Sequence, residues 1–256
     1  MREFIRRVLR VMSRDKADPL LLTGIDMSDQ QIKVVVLGLS ERGEGKTSHR
    51  PLDPLSVEYE AADFRLMASV IESCNAEDIV ENLARATSIG GKSPAAAAMS
   101  VAAEDTYIRS LTVDATLSAE EIEDAVLAEA ERFLPYSLGE AYLDYALSSP
   151  DDREQGVASW SSEMLPPKRL TIVACRREVV DSRIALAKKA GLSLKLIEPA
   201  AFASARALEL CDSGSTNPFS LMEVDSKLDL LEIEQNAPAL LVACGLAMRR
   251  APRDVN

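Results

Sequence analysis

The sequence predicts a mixed α/β protein, and three features carry that prediction. Two β-rich runs, LLLTGIDM and IKVVVLGL, flank the polar turn SDQQ and read as a hairpin from Leu20 to Leu39. Ser118 and Glu121 match the S-x-x-E capping box, and Ile122, Ala125, Val126, Ala130 and Phe133 then share one helical face before Pro135. The strand-like run LTIVAC leads into a helix marked by Val180, Ile184 and Ala187, closed by Lys188, Lys189 and Gly191 as the helix dipole and the C′ position favour.

The other elements follow in order. After Leu39 a polar stretch holds Gly43, Gly45, Pro51 and Pro54. A helix then runs to about Ser88, with Asn75 and Asp78 spaced as a capping box. Ala95 to Ala103 reads as helix by alanine propensity or as a buried strand by its bounding turn signals. A short β-like run from Tyr142 to Leu147, a polar loop from Ser148 to Pro167 and LTIVAC suggest a hairpin with a long connection. Leu192, Leu194 and Leu196 alternate as a strand, and Pro199 opens a helix to about Leu210. The breaker cluster CDSGSTNP, Cys211 to Pro218, marks a junction before an ambiguous segment and the apolar run Ala237 to Met248.

Composition excludes several classes. With 29 Lys+Arg against 41 Asp+Glu, the net charge of −12 repels a polyanion and argues against nucleic-acid binding. A hydrophobic content of 47% is enough to build a core, so most of the chain is expected to fold. The cysteines Cys74, Cys175, Cys211 and Cys244 are scattered without a CxxC pair, and the single His49 completes neither a usual zinc site nor a serine-hydrolase triad. No apolar run approaches the roughly 18 residues of a membrane span. Residues 1–16, MREFIRRVLRVMSRDK, alternate apolar and Arg positions as a basic amphipathic helix, without the apolar core of a signal peptide. Such a helix suits weak contact with an anionic inner leaflet, or packing as an ordinary terminal helix. GEGKT (43–47) and GGKS (90–93) carry the end of a phosphate-binding loop, but Ser40 and Ala86 stand where its first Gly is required.

GIDMSDQQIKVVVLG, SAEEIEDAVLAEAERFLPYSL, the continuous stretch from LTIVAC to ARALEL and the ending NAPALLVACGLAMR together resemble the PilM family, cytoplasmic actin-like proteins of the type IV pilus inner-membrane machinery. The resemblance implies an actin-like core of ribonuclease-H-like topology, residues 20–105 and 199–256, in which the Ala-rich run is a strand. It implies an SHS2-type strand-helix-strand-strand insert over residues 106–198. Family members carry a whole second lobe where this chain has only the junction 211–218, so that lobe is expected to be largely absent.

The same resemblance assigns candidate sites. Asp26 takes the metal-facing place of a nucleotide phosphate loop, Ser28 its first small turn position and Lys33 the Lys of the second strand. Asp29 stands where a small neutral residue is usual, and a carboxylate about 4 Å from a phosphate repels it by roughly 1 to 4 kcal/mol. The bland alternative is an ordinary polar turn. With one cleft wall gone, ATP and Mg are not expected as cofactors, and enzymatic turnover still less. The expected function is a cytoplasmic adaptor, peripheral to the inner membrane, that binds the N-terminal peptide of a PilN-like bitopic membrane protein. The partner groove would be lined by Phe133, Leu134, Pro135, Tyr136, Ala174, Cys175 and Arg176, although helical periodicity favours Phe133 and Leu134 as core. The rival is a weak actin-like ATPase that completes its cleft with a partner chain. Self-association over surface left by the missing lobe is a further expectation.

Overall fold

The computed structural model describes residues 21–28, 30–41, 60–75, 77–88, 96–148, 167–211 and 213–249. The basic segment 1–16, His49, the GEGKT and GGKS stretches and Asp29 lie outside the described residues. The described chain forms two compact units, one of residues 104–179 and one of the remainder.

The larger unit is built on a six-stranded sheet of order β8-β4-β1-β2-β3-β9. β1 (Thr23–Met27), β2 (Gln31–Leu39) and β3 (Phe64–Ser73) run antiparallel in sequence. β4 (Ala97–Val101) lies parallel to β1, and β8 (Leu194–Pro199) parallel to β4. Three antiparallel strands extended by two parallel ones is the ribonuclease-H-like arrangement. β9 (Glu223–Val224) adds a short parallel pairing on β3, where Arg65 meets Glu223 and Asp225 at 3.3 Å each.

The Ala-rich run is therefore a strand, and every residue of β4 is buried, because small side chains let layers close over both faces. β1 is nearly as enclosed, and Ile25, Ile32, Val34, Leu83 and Met99 share one apolar cluster. Helix α1 (Ile79–Thr87) starts later than the Asn75–Asp78 spacing suggests. Asn75 accepts a bond from the Asp78 amide and shapes the turn ahead of the helix, whose N-cap is Asp78.

The closing elements cover the sheet. Helix α3 (Arg177–Lys189) ends as anticipated. Gly191 adopts φ 74°, the Leu192 amide donates to the Ala187 carbonyl, and the Gly191 amide donates to that of Lys188, a Schellman closure. Of its three marked apolar positions, only Ala187 is buried, and Ile184 stays exposed. Helix α4 (Ala200–Leu208) follows β8 directly. Then come α5 (Leu230–Asn236), a 3-10 turn (Ala237–Leu240) and α6 (Leu241–Ala247), so the final apolar run is a buried helix. A Cβ on Gly24 would fall 1.9 Å from the Ala243 carbonyl oxygen, and one on Gly245 would fall 1.8 Å from that of Ala203. Glycine is what allows α6 to approach β1 and α4 backbone to backbone. Arg206 is buried, bonding Glu198 and the Gly245 carbonyl, and so ties β8, α4 and α6 together.

The smaller unit is a three-stranded antiparallel sheet, order β5-β7-β6, with one helix. Its chain order is β5 (Thr106–Val113), α2 (Ala119–Phe133), β6 (Ala141–Ser148) and β7 (Lys168–Arg176), the expected strand-helix-strand-strand sequence. The Ser118–Glu121 capping box is present in both directions. Ile122, Val126 and Ala130 of α2 pack on Leu170, Ile172 and Ala174 of β7. The insert boundary at 198 is corrected: the unit closes at Val179, and residues 194–199 form β8 of the main sheet because their Leu and Ile side chains complete its edge beside β4. Between α4 and β9 stand only residues 209–222, where Phe219 and Met222 drop into the main core, and the second lobe is largely absent.

Candidate functional site

The hairpin register sets Asp26 of β1 opposite Lys33 of β2. Lys33 Nζ donates to Asp26 Oδ2 at 3.3 Å, and Ser100 on β4 donates its hydroxyl to Asp26 Oδ1 at 2.6 Å. Both carboxylate oxygens are engaged, on a side chain that is 15% exposed. In the adjoining turn the Ser28 amide donates to the Gln31 carbonyl at 2.9 Å, and Ser28 Oγ accepts from the amides of Gln30 and Gln31 at 3.4 and 3.2 Å. Three backbone N–H groups of the turn, the groups that would cradle a phosphate, are thus turned onto the protein itself. This is the geometry of a self-closed Ser turn. The sequence reading missed Ser100; the signal was a lone hydroxyl in the otherwise apolar run AAMSV.

The second constellation lies in the smaller unit, at the end of α2. Pro135 is exposed and stops the helix, while Leu134 is buried and Phe133 half-buried against the unit's core. Phe133 and Leu134 are thus packing residues first. Tyr136 follows, with the Arg176 guanidinium carbon 4.2 Å from its ring centre. The Tyr107 ring meets it edge-on, centroids 5.6 Å apart at 78°. The Tyr136 hydroxyl is shielded and has no hydrogen-bond partner among the described residues. Burial, with smaller contributions from Cys175 and Tyr107, pushes its pKa up to about 12, so it stays a neutral donor.

The seven sequence-predicted groove residues do not share one surface. Ala174 is fully buried on the α2 face of β7, as alternation requires. Cys175, buried, points to the opposite face, in register with Thr106 and Tyr142. There the Arg177 guanidinium lies 4.8 Å from the Tyr142 ring centre and its Nε donates to the Gly139 carbonyl at 2.7 Å. Tyr136 and Arg176 do meet. Tyr107, Tyr142 and Arg177 were missed, although tyrosine is scarce enough in this chain, at 5 residues, to make each worth locating.

The sheet order and the inserted three-stranded unit define an actin-like protein with one ribonuclease-H-like lobe. The chain belongs to the type IV pilus assembly protein PilM family, whose model matches residues 24–214. Among solved structures it is similar to a chain of a PilM-PilN type IV pilus biogenesis complex, at 13% identity and a TM-score of 0.66, covering 91% of this chain and 99% of that one. It also matches the cytoplasmic domain of EpsL, an inner-membrane component of the type II secretion system of Vibrio cholerae, at 12% identity and a TM-score of 0.43, covering 71% and 58%. No helix among the described residues is long and apolar enough to cross a membrane.

Proposed function

We propose that this chain is a non-enzymatic cytoplasmic adaptor of a type IV pilus or related secretion platform, peripheral to the inner membrane, that grips the N-terminal cytoplasmic peptide of a PilN-like bitopic membrane protein. The observation that carries the reading is the Tyr107–Tyr136–Arg176 cluster. It combines ring faces, a cation and a shielded hydroxyl that has no hydrogen-bond partner among the described residues. An extended peptide brings apolar side chains for the rings and backbone carbonyls for the guanidinium. The family match and the likeness to a chain from a PilM-PilN complex support it. Asp26, held by Lys33 and Ser100, and the self-closed Ser28 turn support a role without nucleotide turnover.

Calorimetric titration of the full chain with a synthetic peptide of the PilN-like protein's cytoplasmic tail tests this. Saturable binding that Arg176→Ala weakens is the expected result. Absence of binding at peptide concentrations near 1 mM, equivalent to about −4 kcal/mol, refutes it. A parallel melt with ATP and Mg should leave the midpoint unchanged; an upward shift abolished by Asp26→Ala would favour the ATPase reading.

A further inference from the structure

The larger unit carries a leucine surface over its main core. Leu221, Leu230 and Leu231 are 50, 60 and 63% exposed, the three most exposed large hydrophobic side chains among the described residues. Leu221 lies in the connection between α4 and β9, and the other two open α5. Met222 and Ile233, from the same two segments, are buried in one cluster, so the three leucines are held over the same part of the core. The surface has an acidic rim. Asp229, Glu232 and Glu234 are exposed beside the leucines, and Glu232 and Glu234 make no ion pair among the described residues. Two copies meeting through this face would oppose like charges, and a net charge of −12 sets the whole chain against an anionic membrane.

The chemistry that fits is a basic helix with one apolar side, and the chain carries such a segment. Residues 1–16, which lie outside the described residues, hold five Arg and one Lys against Glu3 and Asp15. At about 100° per residue, Phe4, Ile5, Val8, Leu9 and Met12 fall within an arc of about 140°, and the arginines fill the rest of the circle. The tether is short. Leu21 packs against the same cluster as Met222 and Ile233, and the five peptide steps from Lys16 to Leu21 reach at most about 18 Å. A short linker holds a segment at an effective concentration on the order of millimolar, so even a weak contact is populated. We propose that residues 1–16 dock back as a helix on the surface of Leu221, Leu230 and Leu231, apolar side inward and arginines toward Glu232 and Glu234. The docked helix is thereby withheld from other anionic surfaces.

Trypsin digestion of the native full chain, with the cut ends read by mass spectrometry, tests this at Arg6, Arg7 and Arg10. Cleavage there should be slower by about tenfold or more than in a synthetic peptide of residues 1–16. Leu230→Ser with Leu231→Ser, or Glu232→Lys with Glu234→Lys, should each speed it by about fivefold or more. All four positions are exposed, and an unchanged thermal melt shows that each variant keeps its fold. Cleavage as fast as in the free peptide, or protection that neither pair of substitutions relieves, overturns the proposal. Protection that grows with chain concentration from about 1 to 100 μM also overturns it and assigns the segment to a second copy. Vesicles containing phosphatidylglycerol should leave the pattern of the parent chain unchanged; protection that appears only with vesicles overturns the docking and assigns the segment to the membrane.

Discussion

Helix propensity and packing make opposite predictions for Gly245→Ala, which makes it a decisive substitution. Gly245 lies inside α6 with an ordinary negative φ, so propensity alone predicts that alanine stabilises by about 0.5–1 kcal/mol. The new Cβ, however, would fall 1.8 Å from the Ala203 carbonyl oxygen and 2.5 Å from its carbon. Both contacts are with backbone, so no side chain can swing aside, and α6 must retreat by about 1 Å from α4. That retreat stretches the 2.8 Å bond from Arg206 to the Gly245 carbonyl and loosens Leu246 against Ala203. Overpacking typically costs about 1–3 kcal/mol, and a backbone clash belongs at the upper end, leaving a net loss of about 2 kcal/mol after the propensity gain. Urea unfolding followed by circular dichroism should show the midpoint lowered by roughly 0.5–1 M at unchanged slope. Gly139→Ala is the control: its Cβ meets only Ser137 Oγ at 3.8 Å, and its stability should stay within about 0.5 kcal/mol of the parent. A Gly245→Ala chain as stable as the parent would refute the close approach of α6 and α4.

Four further outcomes are expected. Arg206→Leu leaves the buried Glu198 carboxylate facing Arg249 at 3.9 Å, a looser partner, and should cost about 3 kcal/mol, whereas adding Glu198→Gln should recover part of it, a coupling measurable in a double-mutant cycle. Tyr136→Phe removes a shielded hydroxyl that has no partner among the described residues, so it should leave the chain unchanged or stabilised by about 1 kcal/mol in a thermal melt. Ser118→Ala removes the α2 cap and should cost about 1 kcal/mol in urea unfolding. The Glu121 carboxyl is held below its ordinary value of 4.5 by the Ser118 amide first and its hydroxyl second. A depressed folded-state pKa gives stability that is present above the unfolded value and lost as pH falls through the folded one, so Glu121→Gln should flatten the stability–pH profile at and below that value.

Elements whose signals are local were legible in the sequence. The β1–β2 hairpin follows from its alternating runs, and α2 from its capping box, because each pattern reports forces acting within a few residues. β3 was not read, since Arg65, Ser69 and Glu72 break up its apolar positions and the pairings with β2 and β9 supply what its pattern lacks. β5 has only one buried residue, Val113, and so carries almost no burial signal. The final apolar run showed its burial but not its helix, because Pro238 and Gly245 look like breakers. In the structure the proline sits at the start of a 3-10 turn and the glycine is a contact surface. Site residues divide the same way. Asp26 and Lys33 are hairpin neighbours and were found together, whereas the Tyr107 and Arg176 contacts to Tyr136 span distances along the chain that no periodicity encodes.

The placement of α6 also dictates when the larger unit becomes whole. Its residues lie against β1, Gly24 touching Ala243, although more than two hundred residues of synthesis separate them. On a ribosome the first hairpin therefore emerges long before the helix that seals it, and it must wait with Leu22 and Val35 unsealed, a state that invites chaperone binding. The smaller unit draws all its strands from residues 104–179 and is free to close while that helix is still unmade. Vectorial synthesis would thus deliver a finished inner module inside an unfinished frame.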